Sequence, residues 1–526
     1  MLAKINSFGL QGIKGYKVEL EIDVNVGLPG IEIVGLPGTS IKESKERVRS
    51  AIKNSGYLFP TKKITVNFAP ADVKKEGSMY DLPVALGILY ATEQIKAKTI
   101  SDYIIVGELA LDGKLRHVKG LLPILISALN LGFKKIIIPS SNANEASFLS
   151  DVEVYAFDEL KEVVDFLENK ITANPVEKKN LDLEYHSKYK EDLKYVKGQY
   201  VAKRAMEIAV AGNHNLIMIG PPGAGKTMLA RCIPTIMPDM TTSEALETTK
   251  IHSVAGILNE NDGIVFNRPF RSPHHTISAI ALTGGGSAVK PGEMSLAHNG
   301  VLFLDEMLEY PRNVLENLRQ PLEDGVITIA RALRSVEYPA NFMLVSSMNP
   351  CPCGYYGSKT HECTCTPAQI AKYHSKLSGP LMDRIDLHIS VSNVTYDDLS
   401  SDKLAEESSV VRERVNKARQ IQLKRFENTG IFSNSKMSSE MLKQYCVLDE
   451  EGEKIIKDAF DKLNLSARAY TRILKVARTI ADLAGEENIS VMHIREALQY
   501  RSLDRESSLR WRKVKFSIGF LYLVCQ

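Results

Sequence analysis

A chain of 526 residues with 66 Lys and Arg against 63 Asp and Glu, 44% hydrophobic and 25% charged, has a net charge of only +3. The length exceeds what one hydrophobic core organises and suits about three domains, while the composition excludes a fibrous or low-complexity protein. The charge balance leaves any nucleic-acid contact to local patches, and no apolar run reaches the roughly 18 residues of a membrane span.

Near the N-terminus, Lys17-Val-Glu-Leu-Glu-Ile-Asp-Val-Asn alternates apolar and polar residues as a half-exposed strand does, and Ile64-Thr-Val-Asn-Phe-Ala repeats the pattern. Residues 41–55, between them, have helical spacing. The start Met1-Leu-Ala-Lys lacks the apolar core of a signal peptide, so a cytoplasmic location is expected. Seven cysteines without such a leader point to reduced thiols. This first unit is expected over residues 1–165. A polar, lysine-rich passage follows and reads as a linker over residues 166–195. Acids interleave with its lysines, which weighs against a basic DNA clamp.

Val196-Lys-Gly-Gln opens the next unit, expected over residues 196–396, and a helix with one apolar face fits residues 201–211. Then Leu216 to Ile219, a short buried strand, runs into Gly220-Pro221-Pro222-Gly223-Ala224-Gly225-Lys226-Thr227. A strand ending in glycines, lysine and threonine before a helix is a phosphate cradle. The backbone curls around phosphate oxygens, Lys226 reaches the β/γ-phosphates of ATP and the Thr227 hydroxyl ligates Mg²⁺. About 80 residues on, Val-Leu-Phe-Leu304-Asp305-Glu306 suits a central parallel strand whose end meets the nucleotide. Asp305 would hold the Mg²⁺ shell and Glu306 would serve as general base, a pairing that favours hydrolysis over simple binding.

Two insertions interrupt this core. Residues 253–297, with Phe270-Arg-Ser-Pro-His-His-Thr276 and Gly284-Gly-Gly-Ser-Ala-Val-Lys-Pro-Gly292, read as a long functional loop, and the histidine pair as a surface turn. Residues 324–339 read as a β-hairpin with Arg331 and Arg334 at its tip, placed to grip a phosphate backbone if the hairpin enters a pore. A further buried strand ends in Asn349-Pro350, where Asn349 can orient water or contact the γ-phosphate. Next, Cys351-Pro-Cys353 and Cys363-Thr-Cys365 place four thiols within 15 residues. Structural Zn²⁺ is one reading, with His361 and His374 as substitute ligands, and a metal-free loop or redox pair is the other. Isolated Cys232, Cys446 and Cys525 are expected to be inert. Arg384, flanked by Asp383 and Asp386 after Gly379-Pro380, is either an arginine finger offered to a neighbouring subunit's ATP or half of a surface pair.

From residue 397 to 505 helical periodicity dominates, and residues 506–526 form a tail of unassigned character.

Taken with these motifs, Gly107-Glu-Leu-Ala-Leu-Asp-Gly-Lys-Leu-Arg116, Pro291-Gly-Glu-Met-Ser-Leu-Ala-His298 and Met348-Asn-Pro-Cys-Pro-Cys-Gly354 carry a family resemblance from the N-terminus to about residue 505. The chain resembles the YifB/ComM family of magnesium-chelatase-like AAA+ ATPases. The resemblance implies an α/β protein with an AAA+ P-loop NTPase core, an N-terminal Lon-protease-like (ribosomal S5 domain 2-like) α+β domain and a C-terminal helical lid. It also implies a ring, taken as a hexamer, that acts on branched or single-stranded DNA without sequence preference. A chelatase-type ATPase that remodels a protein or metal-insertion partner is the alternative. In Leu465-Ser-Ala-Arg468-Ala-Tyr-Thr-Arg472, which is similar to the family's lid helix, Arg468 would reach the nucleotide in cis and Arg472 is the fallback. In Gly77-Ser78-Met79-Tyr80-Asp81, Met79 stands at the nucleophile position of Lon-like proteases and Ser78 one residue early, so proteolysis is not expected.

Overall fold

The computed structural model describes residues 2–501 except 180–188, 260, 262, 287–288, 332–333, 359–360, 395–397, 399, 401–403 and 464. The side chains of Arg331, Arg334 and Leu463, and the expected tail, lie outside the described residues.

The first unit is built on a seven-stranded sheet in the order Gly30–Val34, Lys63–Ala69, Lys14–Asn25, Leu2–Gln11, Tyr103–Ile105, Lys135–Pro139, Glu153–Phe157. Leu2–Gln11 pairs antiparallel along its whole length with Lys14 to Asp23 of the next strand, Ile5 lying opposite Leu20. The alternation seen in the sequence is the reason: Val18, Leu20, Ile22 and Val24 are all buried on one face. At roughly 1.5–3 kcal/mol for each buried aliphatic side chain, that face sets the register, because a slip of one residue would turn all four to solvent. Helices Thr39–Asn54, Asp81–Ala91, Leu121–Asn130 and Leu160–Leu167 contribute to the same core.

The second sheet has five strands, all parallel, in the order Phe270–Arg271, Val301–Leu304, Met343–Met348, Leu216–Ile219, Leu387–Ser390. Every residue of Val301–Leu304 and Met343–Met348 is buried, as in a parallel sheet covered on both faces. Helix Tyr200–Gly212 lies between this sheet and the C-terminal helices, of which Ser408–Arg425, Ala467–Ala484 and Val491–Gln499 share its apolar core. The architecture is the AAA+ P-loop fold with a helical C-terminal region.

The segment 253–297 is more ordered than the expected loop. Phe270–Arg271 is the edge strand of the ATPase sheet, and helices Ala279–Thr283 and Glu293–Leu296 bury Leu282 and Met294. These elements are too short to leave a periodic signal, so only packing reveals them. Gly284, at φ +100°, closes their small hairpin where a Cβ would stand 2.6 Å from the Lys290 carbonyl oxygen.

The hairpin Val326–Arg331 and Arg334–Pro339 forms as expected, with Arg331 opposite Arg334 at its closed end. It is anchored at two places: near its base the Tyr338 hydroxyl donates to the Val289 carbonyl at 2.6 Å, and nearer its closed end Val336 packs on the first unit, where a Cβ added to Gly12 would lie 2.5 Å from it. A second contact between the two units is polar. Ser253, in helix Thr242–Ala255, accepts the Gly120 N–H on its carbonyl at 3.1 Å and donates its hydroxyl to the buried Glu145 carboxylate.

Candidate nucleotide-hydrolysis site

The chain leaves strand Leu216–Ile219 at Gly220, where any Cβ would run into the carbonyl oxygen of Val391. Gly223 and Gly225 take φ of +77° and +83°, with no atom within 4 Å of an added Cβ, so the loop is a concave backbone surface open on its outer side. Helix Lys226–Ile236 starts immediately, with Gly225 as an N-cap that supplies no side-chain oxygen. Its first N–H groups therefore face the loop, an arrangement that takes an anion. These observations fit a phosphate group.

Lys226 is largely buried, and its Nζ donates to the carbonyls of Gly220 and Pro221 at 2.7 and 2.9 Å and to Asn349 Oδ1 at 3.1 Å. Burial lowers the pKa of the ammonium group, while the carboxylates of Asp305 and Glu306 act in the opposite direction. The Thr227 hydroxyl donates to Asp305 Oδ2 at 2.8 Å, and the Ser347 hydroxyl donates to the other oxygen of the same carboxylate. A threonine hydroxyl and a carboxylate at this spacing form the oxygen set that a hard Mg²⁺ ion prefers.

Glu306 follows with φ 49° and ψ 50°, its backbone N–H donating at 3.1 Å to both Asp305 Oδ1 and Ser347 Oγ. A left-handed conformation costs a non-glycine residue roughly 1–2 kcal/mol, and here it turns an exposed carboxylate out at the end of the strand. Lys226, Thr227, Asp305, Glu306 and Asn349 thus converge at the C-terminal ends of three adjacent strands, the place where open α/β sheets bind ligands.

Two supporting residues were not legible in the sequence. Ser347 looks like one more buried strand residue, yet it orients Asp305. Gln199, at φ +57°, holds the phosphate loop by donating to the carbonyls of Ala224 at 3.3 Å and Ser392 at 2.6 Å.

Arg384 and Arg468 gather elsewhere. The largely buried Arg384 donates to the Pro380 carbonyl at 2.7 Å and to Glu323. Arg468, exposed on helix Ala467–Ala484, stands 3.7 Å from the same Glu323 carboxylate. Their shared partner borders a surface groove lined by Glu316, Arg319 and Arg384, in which no residue of the phosphate loop takes part. Arg472, the fallback, pairs with the buried Asp386. No motif announced Glu323.

The four thiols of Cys351, Cys353, Cys363 and Cys365 lie within 4.8 Å of one another. Neither histidine substitutes for them: His361 stacks on Tyr355 with ring centroids 4.8 Å apart, and His374 Nε2 is 2.9 Å from the Pro350 carbonyl oxygen. Cys232 and Cys446 are buried, which pushes each thiol up to about 12 and makes it a poor nucleophile, whereas Cys525 lies outside the described residues. The rings of His274 and His275 meet at a tilt of 34° with centroids 4.1 Å apart and belong to no metal-ligand group among the described residues. In the first unit Met79 is buried and the Ser78 hydroxyl donates to Glu108.

Comparison with known proteins covers most of the chain. Residues 192–399 match the family described as "Magnesium chelatase, subunit ChlI", residues 20–142 "Subunit ChlI of Mg-chelatase" and residues 405–501 "Magnesium chelatase, subunit ChlI C-terminal". The chain is similar to Competence protein ComM of Haemophilus influenzae, at 45% identity across 96% of this chain and 98% of that protein. It is 42% identical to the uncharacterized protein YifB of Escherichia coli, again across 96% and 98% of the two chains. The Magnesium-chelatase 38 kDa subunit of Cereibacter sphaeroides is 25% identical over 29% of this chain and 51% of that subunit.

Proposed function

The chain belongs to the YifB/ComM family of magnesium-chelatase-like AAA+ ATPases, and from that premise we propose that it is a ring-forming motor that uses ATP hydrolysis to drive branch migration of DNA in recombination or natural transformation. The observation that carries the ATPase chemistry is the convergence of Lys226, Thr227, Asp305, Glu306 and Asn349 on one loop. Thr227 and Asp305 would hold Mg²⁺, which would offset the charge of the phosphates. Lys226 exchanges its bonds to the Gly220 and Pro221 carbonyls for phosphate oxygens. Glu306 takes the proton of the attacking water, and Asn349 orients that water or the terminal phosphate.

Arg384, held on Glu323 and touching no residue of its own phosphate loop among the contacts described, serves the nucleotide of a neighbouring subunit, while Arg468 serves the nucleotide in cis. In this reading residues 1–165 are a Lon-like domain in ring assembly or DNA contact, 166–195 a linker, 196–396 the motor and 397–505 its lid. The ring is a hexamer, and the hairpin tip with Arg331 and Arg334 lines its pore. Similarity to a protein named for competence across 98% of its length supports a DNA substrate. Partial similarity to a magnesium-chelatase subunit favours a second reading, an ATPase that remodels a protein or metal-insertion partner.

The two readings separate in one experiment. Forked and four-way DNA should stimulate ATP hydrolysis by the intact protein and be remodelled by it, with binding that weakens as salt rises because phosphate contacts release counterions. Arg331→Ala combined with Arg334→Ala should keep basal hydrolysis and lose both responses. A wild-type protein indifferent to these DNAs would leave the partner-remodelling alternative.

A further inference from the structure

The loop between strand Met343–Met348 and helix Pro367–His374 has almost no means of holding its own shape. Among its described residues 351–358 and 361–365 there is no helix or strand, and Cys351 is the only buried apolar side chain. Yet its four cysteines, two from each end, meet at one point. Cys351 Sγ is 3.3 Å from Cys353 Sγ and 3.7 Å from Cys363 Sγ, and Cys353 Sγ is 3.6 Å from Cys363 Sγ.

A disulfide needs sulfurs about 2.05 Å apart, so these are separate thiols. A tetrahedral site with zinc–sulfur bonds of about 2.3 Å has sulfur–sulfur edges of about 3.8 Å, and all four sulfurs lie within 4.8 Å of one another. The backbone already supplies donors to them: the Cys353 N–H is 3.4 Å from Cys365 Sγ and the Tyr356 N–H 3.3 Å from Cys351 Sγ. Bonds of this kind support thiolates around a metal.

The loop also touches the nucleotide site on two sides. Cys351 stands two residues beyond Asn349, whose amide oxygen holds Lys226 at 3.1 Å. Gly354, at φ +84°, packs so closely on the phosphate loop that a Cβ there would be 2.5 Å from the Pro222 ring. From the other end, Cys365 leads directly into the Thr366 N-cap of helix Pro367–His374, whose last residue bonds the carbonyl of Pro350.

We propose that Cys351, Cys353, Cys363 and Cys365 bind one Zn²⁺ ion, and that the zinc-closed loop is a brace holding Asn349 and Pro222 in place around the nucleotide. Thiolate ligands select zinc over the hard Mg²⁺ of the neighbouring site. The ion provides the cross-link that an apolar core would otherwise have to supply. Asn349 is then a positioned residue, and the cysteines position it.

The proposal deepens the ATPase reading, and its test separates the two. Full-length protein purified without chelator should contain about one Zn²⁺ per chain, and Co²⁺ in its place should give the charge-transfer absorption of a tetrahedral thiolate site. Cys363→Ser with Cys365→Ser should lose the metal and weaken binding of a non-hydrolysable ATP analogue about tenfold, the scale on which supporting residues act. Asn349→Ala should weaken the analogue similarly, and losing zinc in that background should cost less than it does in the wild-type protein, because the Asn349 contact is already gone and only the hold on Pro222 remains. If the double serine variant does not fold, wild-type protein stripped with a mercurial thiol reagent and chelator provides the same comparison.

A clean preparation without metal and with four freely titrating thiols would overturn the site. Zinc present, but with effects of zinc loss and Asn349→Ala that multiply independently, would overturn the brace. A protein that binds zinc but no nucleotide would overturn the brace and the ATPase reading while the metal count stands.

Discussion

Lys226 is tethered to the phosphate loop's own carbonyls, whereas Glu306 is held out in a left-handed turn at the end of the neighbouring acidic strand. Their removal should therefore have different consequences. Lys226→Ala takes away the cation that balances the phosphates in the ground state, so ATP affinity and turnover should both fall. Glu306→Gln leaves that cation in place and removes only the proton acceptor, so binding should persist while turnover falls about 10²- to 10⁴-fold. Titration with a fluorescent ATP analogue, alongside phosphate release, checks both. Undiminished turnover in Glu306→Gln would move the general base elsewhere. Ser347 offers a finer probe, because its hydroxyl bonds both the Asp305 carboxylate and the Glu306 N–H from the strand next door.

At the scale of elements, helix Ala467–Ala484 is fastened to the ATPase sheet through a buried polar cluster. His214 Nε2 is 2.8 Å from Thr479 Oγ1, its Nδ1 is 3.8 Å from Asp386, and Arg472 reaches the same carboxylate. Burial pushes the His214 pKa down to about 4, against the pull of Asp386 and with help from Lys475 and Arg472. An unfolded histidine takes up its proton near pH 6.5, well before the buried one does. The contribution of His214 is therefore complete above pH 6.5 and is lost as pH falls toward 4, in all on the order of 3 kcal/mol. Urea unfolding followed from pH 7.5 to 4.5 should show this loss, and His214→Gln, which has no such proton to take up, should flatten it. An unaltered pH slope in the variant would assign the loss to other groups.

At the scale of the whole molecule, Arg384 lies largely buried on Glu323 at the wall of a surface groove in which no residue of its own phosphate loop takes part. In a ring, a neighbour's nucleotide would compete with Glu323 for Arg384. Arg384→Ala should then bind ATP normally and fail to turn over, as Lys226→Ala fails for a different reason. Mixing the two inactive proteins should restore measurable hydrolysis, because an intact phosphate loop in one subunit can meet an intact arginine in the next. Loss of ATP binding in Arg384→Ala, or a mixture that stays silent, would assign the residue to holding Glu323 within its own chain. The first unit contacts the same machine at both Ser253 and Val336 of the hairpin.

What the sequence determined was local. The phosphate loop could be read from Gly220 to Thr227 because glycines permit a backbone shape that other residues resist, and that constraint is written in the residues themselves. Asp305, Glu306 and Asn349 were legible as polar ends of apolar runs, and strands Lys14–Asn25 and Lys63–Ala69 as alternation of period two. The tertiary structure decided what depends on residues far apart in the chain. It set Ser347 against Asp305, Gln199 under the phosphate loop, Phe270 and Arg271 at the sheet edge, and two distant arginines on Glu323. It also chose among the ligands offered for a metal, setting four sulfurs together and both histidines aside. A side chain's own chemistry can be read where it stands, but its partner is selected by the packing of whole elements, which no local pattern encodes.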